Sequence, residues 1–252
     1  MNQDAKQNVE LLRHMRATGF AVFDAASPHT GVLALVAGDD WASFAASWHD
    51  LPRDDHMADG RRYRRRRYGV FEMVAGTIKL AQHQPHFQTV DNNPLNGGVE
   101  RWFAPLMPAV ADGSTLRRLM VICHDTFAAL VAETPSWHVE VHQFRIEADE
   151  TMRGNPTPEG MHRDGVDYVL VLLVSRVNID SGTTTMADQS GRLLGAFTLT
   201  HPGDCVLLDD HKVFHGVTAV TPVDPDKLAY RDVLVVTFRN SAENREANGM
   251  GG

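Results

Sequence analysis

The chain has 252 residues, 43% hydrophobic and 22% charged, which is enough apolar material for one sizeable core. A formal charge of -8 disfavours a surface built for DNA or anionic membranes. No stretch approaches the ~20 apolar residues of a membrane span, the polar start MNQDAKQNVELL lacks the apolar centre of a signal peptide, and Cys123 and Cys205 lie in apolar runs, so buried thiols in a reducing, cytoplasmic setting are expected.

In chain order, residues 4–17 predict a helix, with Val9, Leu12 and Met15 recurring every three residues and Gly19 as its stop. Phe20 to Phe23 predict a short strand. A second helix is expected to start at Asp40, capped by that side chain, with Trp41, Phe44, Ala45 and Trp48 on its apolar face and Pro52 at its end. Two or three strands are expected between Arg62 and Gln82. A long helix is predicted from Ser114, with an apolar stripe of Leu116, Leu119, Met120, Cys123, Phe127 and Leu130. Beyond residue 136, WHVEVHQFRI, DYVLVLLVSRVNI, GRLLGAFTLT, CVLLDD, VFHGVTAV and RDVLVVTFR are β-like, punctuated by Gly, Pro, Asn and Asp. Thr183 to Thr185 also read as strand. Many short strands after a helical start predict an α+β chain with a jelly-roll (double-stranded β-helix, cupin-like) core and flanking helices. Residues 1–240 are expected to form one domain and 241–252 a loose tail.

Met161-His162-Arg163-Asp164-Gly165 carries the first chemical signal. In extended backbone, His162 and Asp164 face the same side. A third ligand from a later strand would complete a set of two histidines and one carboxylate, the arrangement with which non-haem iron(II) oxygenases leave three metal positions open. His215 in Phe214-His215-Gly216-Val217 offers it, and His211 in the polar turn DDHK is the rival. The open positions suit a bidentate keto acid and then O2. The far carboxylate of such an acid needs a forked cation. Arg231, at the start of the last strand, is the candidate, with Arg239 at its other end as the fallback.

With these residues in view, the chain resembles a family of bacterial 2-oxoglutarate/iron dioxygenases that includes free L-isoleucine hydroxylases. The resemblance runs over about residues 10–240 and is carried by RRRRYGVF, EVHQFRI, PEGMHRDGVDYV, PGDCVLLDDHKVFHGVTAV and RDVLVVTFR. It implies a double-stranded β-helix, Fe(II) held by His162, Asp164 and His215, 2-oxoglutarate as co-substrate held by Arg231, and O2 as oxidant.

Two further stretches bear on the substrate. In the run Arg61 to Arg67, alternation divides Arg62, Arg64 and Arg66 from Tyr63, Arg65 and Arg67. The second set is expected to look into the site, with Arg65 or Arg67 holding a substrate carboxylate and Tyr68 or Gln143 orienting an ammonium. A charged edge strand is the competing reading. A nucleic-acid groove is disfavoured by net charge and by the scarcity of interleaved aromatics. In VEVHQFRI, an inward Gln143 or Arg145 would face a cavity rather than packed core. The expected activity is hydroxylation of a small molecule, a free aliphatic L-amino acid above all. An oxygenase acting on a macromolecule and a non-catalytic metal-binding barrel are the alternatives.

Overall fold

The computed structural model describes residues 3–24, 26–57, 59–93, 95 and 97–241. It opens with α1 (Gln3–Thr18), β1 (Phe20–Phe23), α2 (Thr30–Val36), α3 (Trp41–Ala46) and a 3-10 turn (Ser47–Asp50). β2 (Arg64–Val74) and β3 (Thr77–Leu80) follow, then α4 (Pro108–Ala111) and α5 (Ser114–Ala128). The rest is strand: β4 (Ser136–Ala148), β5 (Tyr168–Val177), β6 (Ile179–Ser181), β7 (Thr184–Asp188), β8 (Leu193–Phe197), β9 (Cys205–Asp209), β10 (Val213–Val217), β11 (Val220–Pro222) and β12 (Ala229–Asn240).

The strands form an antiparallel seven-stranded sheet in the order β1-β9-β5-β12-β4-β2-β3, a three-stranded sheet β10-β7-β8, and the pair β11-β6. Side chains alternate across a strand, and here both faces of the large sheet are covered. On its outer face Phe71, Met73, Val139, Val141, Leu170, Leu172, Leu234 and Val236 pack against Leu116, Leu119, Met120 and Phe127 of α5 and against Trp41, Phe44 and Trp48. On its inner face Val169, Val206 and Leu208 meet Met186 of β7 and Val213 of β10. The two sheets therefore close on each other as a double-stranded β-helix, with the helices layered on one side.

The 3-10 turn pins the sheet. The fully buried Trp48 donates through Nε1 to the carbonyls of Phe144 (3.1 Å) and Val233 (3.3 Å). Opposite Asp232 and Val233, β5 carries one extra residue, Val174, so the register of β12 on β5 shifts there, and Asp232 is held by two hydrogen bonds from Arg145, each 2.7 Å. Arg231 lies next to this shift in β12.

Two features differ from expectation. Asp40 precedes α3 but makes no side-chain cap; its carboxylate accepts instead from the Ser114 hydroxyl at the start of α5. The segment from Arg62 to Gln82 holds two strands, within the expected two or three. The short helices α2 and α4, seven and four residues, have too few turns to show an apolar period. Both cysteines are buried and free. The expected tail lies outside the described residues except for Ser241. Among the described residues no helix is long and apolar enough to cross a membrane.

Candidate active site

A cavity of about 320 Å³ opens between the two sheets. Its floor is formed by Val171 of β5 and Val233, Val235 and Thr237 of β12, and its far wall by His215 and Val217 of β10. The segments around 86–93 and 156–166 close its sides.

His162 lies between β4 and β5, outside any long strand, yet its backbone exchanges both hydrogen bonds with His215, each 2.9 Å. This single antiparallel bridge sets the two imidazoles side by side, ring centroids 4.5 Å apart. Asp164, two residues on, returns its carboxylate to the same point, with Oδ1 3.6 Å from His162 Nε2 and Oδ2 3.7 Å from His215 Nε2. One ligand atom from each residue lies within 4.8 Å of the others. The approach depends on two glycines. A Cβ on Gly216 would sit 2.9 Å from Met161 Sδ and 3.1 Å from the Gly160 carbonyl oxygen. Gly165 has φ +79°, and a Cβ there would lie 2.1 Å from Asn92 Nδ2.

The turn is also tied by Asp210, whose carboxylate accepts from the backbone N–H groups of Asp164 (3.0 Å), Gly165 (2.8 Å) and Val166 (3.2 Å). His162 Nδ1 lies 3.0 Å from the Gly160 carbonyl oxygen, so Nδ1 carries a hydrogen and Nε2 is the atom turned to the cluster, free to offer its lone pair once a metal displaces its proton. The electrostatics are those of three ligand side chains forced together. Burial pushes Asp164 upward, but the hydrogen bond from His162 and the charges of His215 and His162 outweigh it and hold the carboxyl below its usual range. Burial opposes protonation of His162, yet Asp164 and Glu159 raise it to about 9. Burial and the charge of His162 bring His215 down to about 4. One proton thus stands where a divalent cation would neutralise the same carboxylate, and the N, N, O donor set suits such an ion. Glu159, whose Oε1 lies 3.3 Å from His162 Nε2, is a neighbour that sequence reasoning missed.

Arg231 is 2% exposed and reaches the cavity from β12. Its Nε and Nη2 have no hydrogen-bond partner among the described residues. Burial, with Arg176 adding, lowers it to about 10, so it is still charged at neutral pH. A buried cation with two unpaired donors fits the distant carboxylate of a keto acid. The rivals fall elsewhere: His211 points to solvent and pairs with Asp167 (2.7 Å), and Arg239 is exposed at the cavity rim.

The expected substrate residues are corrected by register. β2 pairs with β4 so that Phe71, Met73, Val139 and Val141 face the helices, and Arg65, Arg67, Gln143 and Arg145 share that parity. Arg65 pairs with Glu147 (2.6 Å), and Arg67 donates to the Pro105 and Asp50 carbonyls. Gln143 donates to the Ser47 hydroxyl (2.8 Å), and Arg145 is consumed by Asp232. None of the four lines the cavity. Tyr68 is on the inner face but behind the wall, packed on His142 (5.0 Å) and His86 (5.5 Å). The cavity receives Arg64, Arg66, His138, Glu140 and His142 instead, with Arg101 and His86 from the segment after β3. The signal was available: the apolar pair Phe71 and Met73 shares the parity of Arg65 and Arg67, which assigns those arginines to the helix side.

A two-sheet β-helix with two histidines and an aspartate at its mouth, and a buried arginine with unpaired donors deeper in, fits the class of non-haem iron, keto-acid-dependent oxygenases. The chain belongs to the 2OG-Fe dioxygenase family, whose sequence profile matches residues 45–237. It is 25% identical to a 3(1)-hydroxy-L-isoleucine 4-dioxygenase of Pantoea ananatis over 175 residues, 67% of this chain and 69% of that one. A bsmA homologue from Methylobium petroleophilum PM1 has the same structure with a TM-score of 0.83 and 36% identity, covering 93% of each chain. IDO from Bacillus thuringiensis shares the fold at a TM-score of 0.76 and 17% identity, over 93% of this chain and 99% of that one. The protein is a dioxygenase that uses iron(II), 2-oxoglutarate and O2.

Proposed function

We propose that this enzyme hydroxylates a free amino acid with an aliphatic side chain, with His162, Asp164 and His215 as the iron ligands and Arg231 as the 2-oxoglutarate anchor. The observation that carries the reading is the enclosed cavity of about 320 Å³ that holds the ligand triad and the unpaired donors of Arg231 together. That volume fits a keto acid and a small molecule. When bound, iron and 2-oxoglutarate supply the oxidation, in which the keto acid becomes succinate and CO2 and the second oxygen atom of O2 enters a substrate C–H bond.

The chain's own residues do the positioning. His162 and His215 present Nε2 and Asp164 an oxygen on one side, leaving the cavity side free. Arg231 fixes the keto acid from the far end, and its distance from the triad along the floor sets which way the acid lies. Val171, Val233 and Val235 keep water from the floor and offer an apolar wall against which a side chain can be aimed. Of the arginine run, Arg61 and Arg62 are exposed and the other four are buried or partly buried, which supports an internal role for the run over a docking stripe for nucleic acid.

The test is incubation with iron(II), ascorbate, 2-oxoglutarate and pooled L-amino acids, followed by mass spectrometry. A product heavier by one oxygen is expected from the wild type and none from Asp164→Ala, whose fold should persist. Product from a peptide or a methylated oligonucleotide and from no amino acid would overturn the reading.

A further inference from the structure

Three arginines on the cavity wall are not accounted for by the metal or the keto acid. Arg64, Arg66 and Arg101 are 6%, 3% and 3% exposed and all line the cavity. Among the described residues two of them share one carboxylate, Asp54, which is 2.7 Å from Arg64 Nε and 3.8 Å from Arg66 Nη1, and Arg101 has no carboxylate within ion-pair distance. Each keeps a buried donor with no partner: Arg64 Nη2, Arg66 Nε and Arg101 Nε. The guanidiniums are also held in place. Arg66 lies over Phe103 (3.5 Å) and Phe144 (4.5 Å), and Arg101 donates to Gln88 Oε1 (2.9 Å). Buried cations in excess of their anions, with unpaired donors already oriented, are costly unless a ligand brings the missing negative charge.

Beside them stands Glu140, on the same wall. Its carboxylate is met by His86 Nδ1 at 2.8 Å, His138 Nε2 at 3.2 Å and His142 Nε2 at 3.6 Å. Burial alone would push it upward, but the bonds from these imidazoles hold it well below the usual carboxylate range. His86, Glu140 and His142 also have the spacing of a metal site. The hydrogen bonding argues against a metal. Arg66 Nη2 lies 2.6 Å from His142 Nδ1, and a guanidinium has only N–H groups to offer. Nδ1 therefore accepts, the neutral ring carries its hydrogen on Nε2, and that atom points at Glu140 as a donor with no lone pair for a metal.

We infer that Arg64, Arg66 and Arg101 form the carboxylate subsite, and Glu140 the ammonium subsite, for an α-amino acid lying across the cavity wall. A single imidazole, that of His142, bridges Arg66 and Glu140, so the two subsites are spaced for groups on one carbon atom with a hydrogen bond on either side. A zwitterion matches both charges. An acid without the amine offers no cation to Glu140, and an amine without the acid leaves the spare donors of the three arginines without an anion. The assignment rests on the oxygenase reading above and gives it a substrate class through residues that reading did not use.

The test uses the full chain loaded anaerobically with iron(II) and 2-oxoglutarate. Calorimetry compares L-isoleucine, the same compound lacking its amino group, and the same compound lacking its carboxylate. The wild type should prefer the intact amino acid to either by about tenfold or more, the scale of one charge-assisted contact. Arg101→Gln should erase the preference over the compound without a carboxylate and leave the other. Glu140→Gln should do the reverse. Arg101→Lys, which keeps the charge but loses the fork, should fall between, and it also reads the site if Arg101→Gln unfolds on a thermal melt. A wild type that does not discriminate, or variants that keep both preferences, overturns the subsites. If both preferences behave as expected while no amino acid is oxidised, it is the proposed activity that fails. If an amino acid is oxidised with unchanged KM in both variants, the activity stands and the subsites fall.

Discussion

Replacing Arg231 with methionine keeps most of the side-chain volume and removes the charge. In the wild type without 2-oxoglutarate this guanidinium is 2% exposed and, among the described residues, has no ion partner and leaves Nε and Nη2 unpaired. Its removal therefore breaks no ion pair and relieves a desolvation cost, so Arg231→Met should melt at the wild-type temperature or above it in the absence of ligand. With 2-oxoglutarate the order should reverse. A charge-assisted, forked contact in a dry site is worth about 2–5 kcal/mol, so affinity should fall by about 30-fold to several thousandfold. At a ligand concentration of about 100 times the wild-type Kd, binding stabilises the wild type by about 2.7 kcal/mol, or a Tm rise of roughly 5–10 °C for a chain of this size. Arg231→Met should keep at most about a third of that rise, and almost none at the upper end of the loss. The assay is a thermal melt of the metal-loaded protein with and without 2-oxoglutarate. An unchanged ligand-induced shift would refute the anchor, and a large loss of stability without ligand would show that Arg231 has a structural partner.

Two further outcomes follow from the same geometry. His215→Ala should lose iron(II) affinity by orders of magnitude while His211→Ala keeps it, because His211 is exposed and paired with Asp167; equal losses in a metal titration would reinstate the rival. Asp54 sets an acid limit on stability: burial raises its carboxyl, but Arg64 and Arg66 with the His56 N–H overcome this and hold it below the usual carboxylate range. A depressed carboxyl contributes stability above its unfolded pKa and loses it as pH falls through the folded value. The stability difference between wild type and Asp54→Asn should then be constant above about pH 5 and shrink below about pH 4; a difference that grows on acidification in urea titrations would contradict this.

The sequence alone located most strands and the long helix α5, and it named the residues proposed here as metal ligands and keto-acid anchor. His162 and Asp164 are two apart in extended backbone, and the period of β12 and α5 is plain in their residues, so local geometry sufficed. Choosing His215 over His211 also had a local reason, since a polar turn such as DDHK is held at the surface. Tertiary structure decided the substrate wall. Which face of RRYRRRR and VEVHQFRI turns inward depends on the register of β2 on β4 and on which face the helices cover; both faces of these two runs carry polar side chains, so the runs by themselves do not separate them, and only the apolar parity of Phe71 and Met73 further along β2 does. The mistaken parity placed Arg65, Arg67, Gln143 and Arg145 in the site, where the fold puts Arg64, Arg66, Glu140 and His142. Arg101 and His86 were beyond reach for another reason. They come from an irregular segment whose path is set by contacts with β2 and β4, and no periodicity in the chain encodes where such a segment lands.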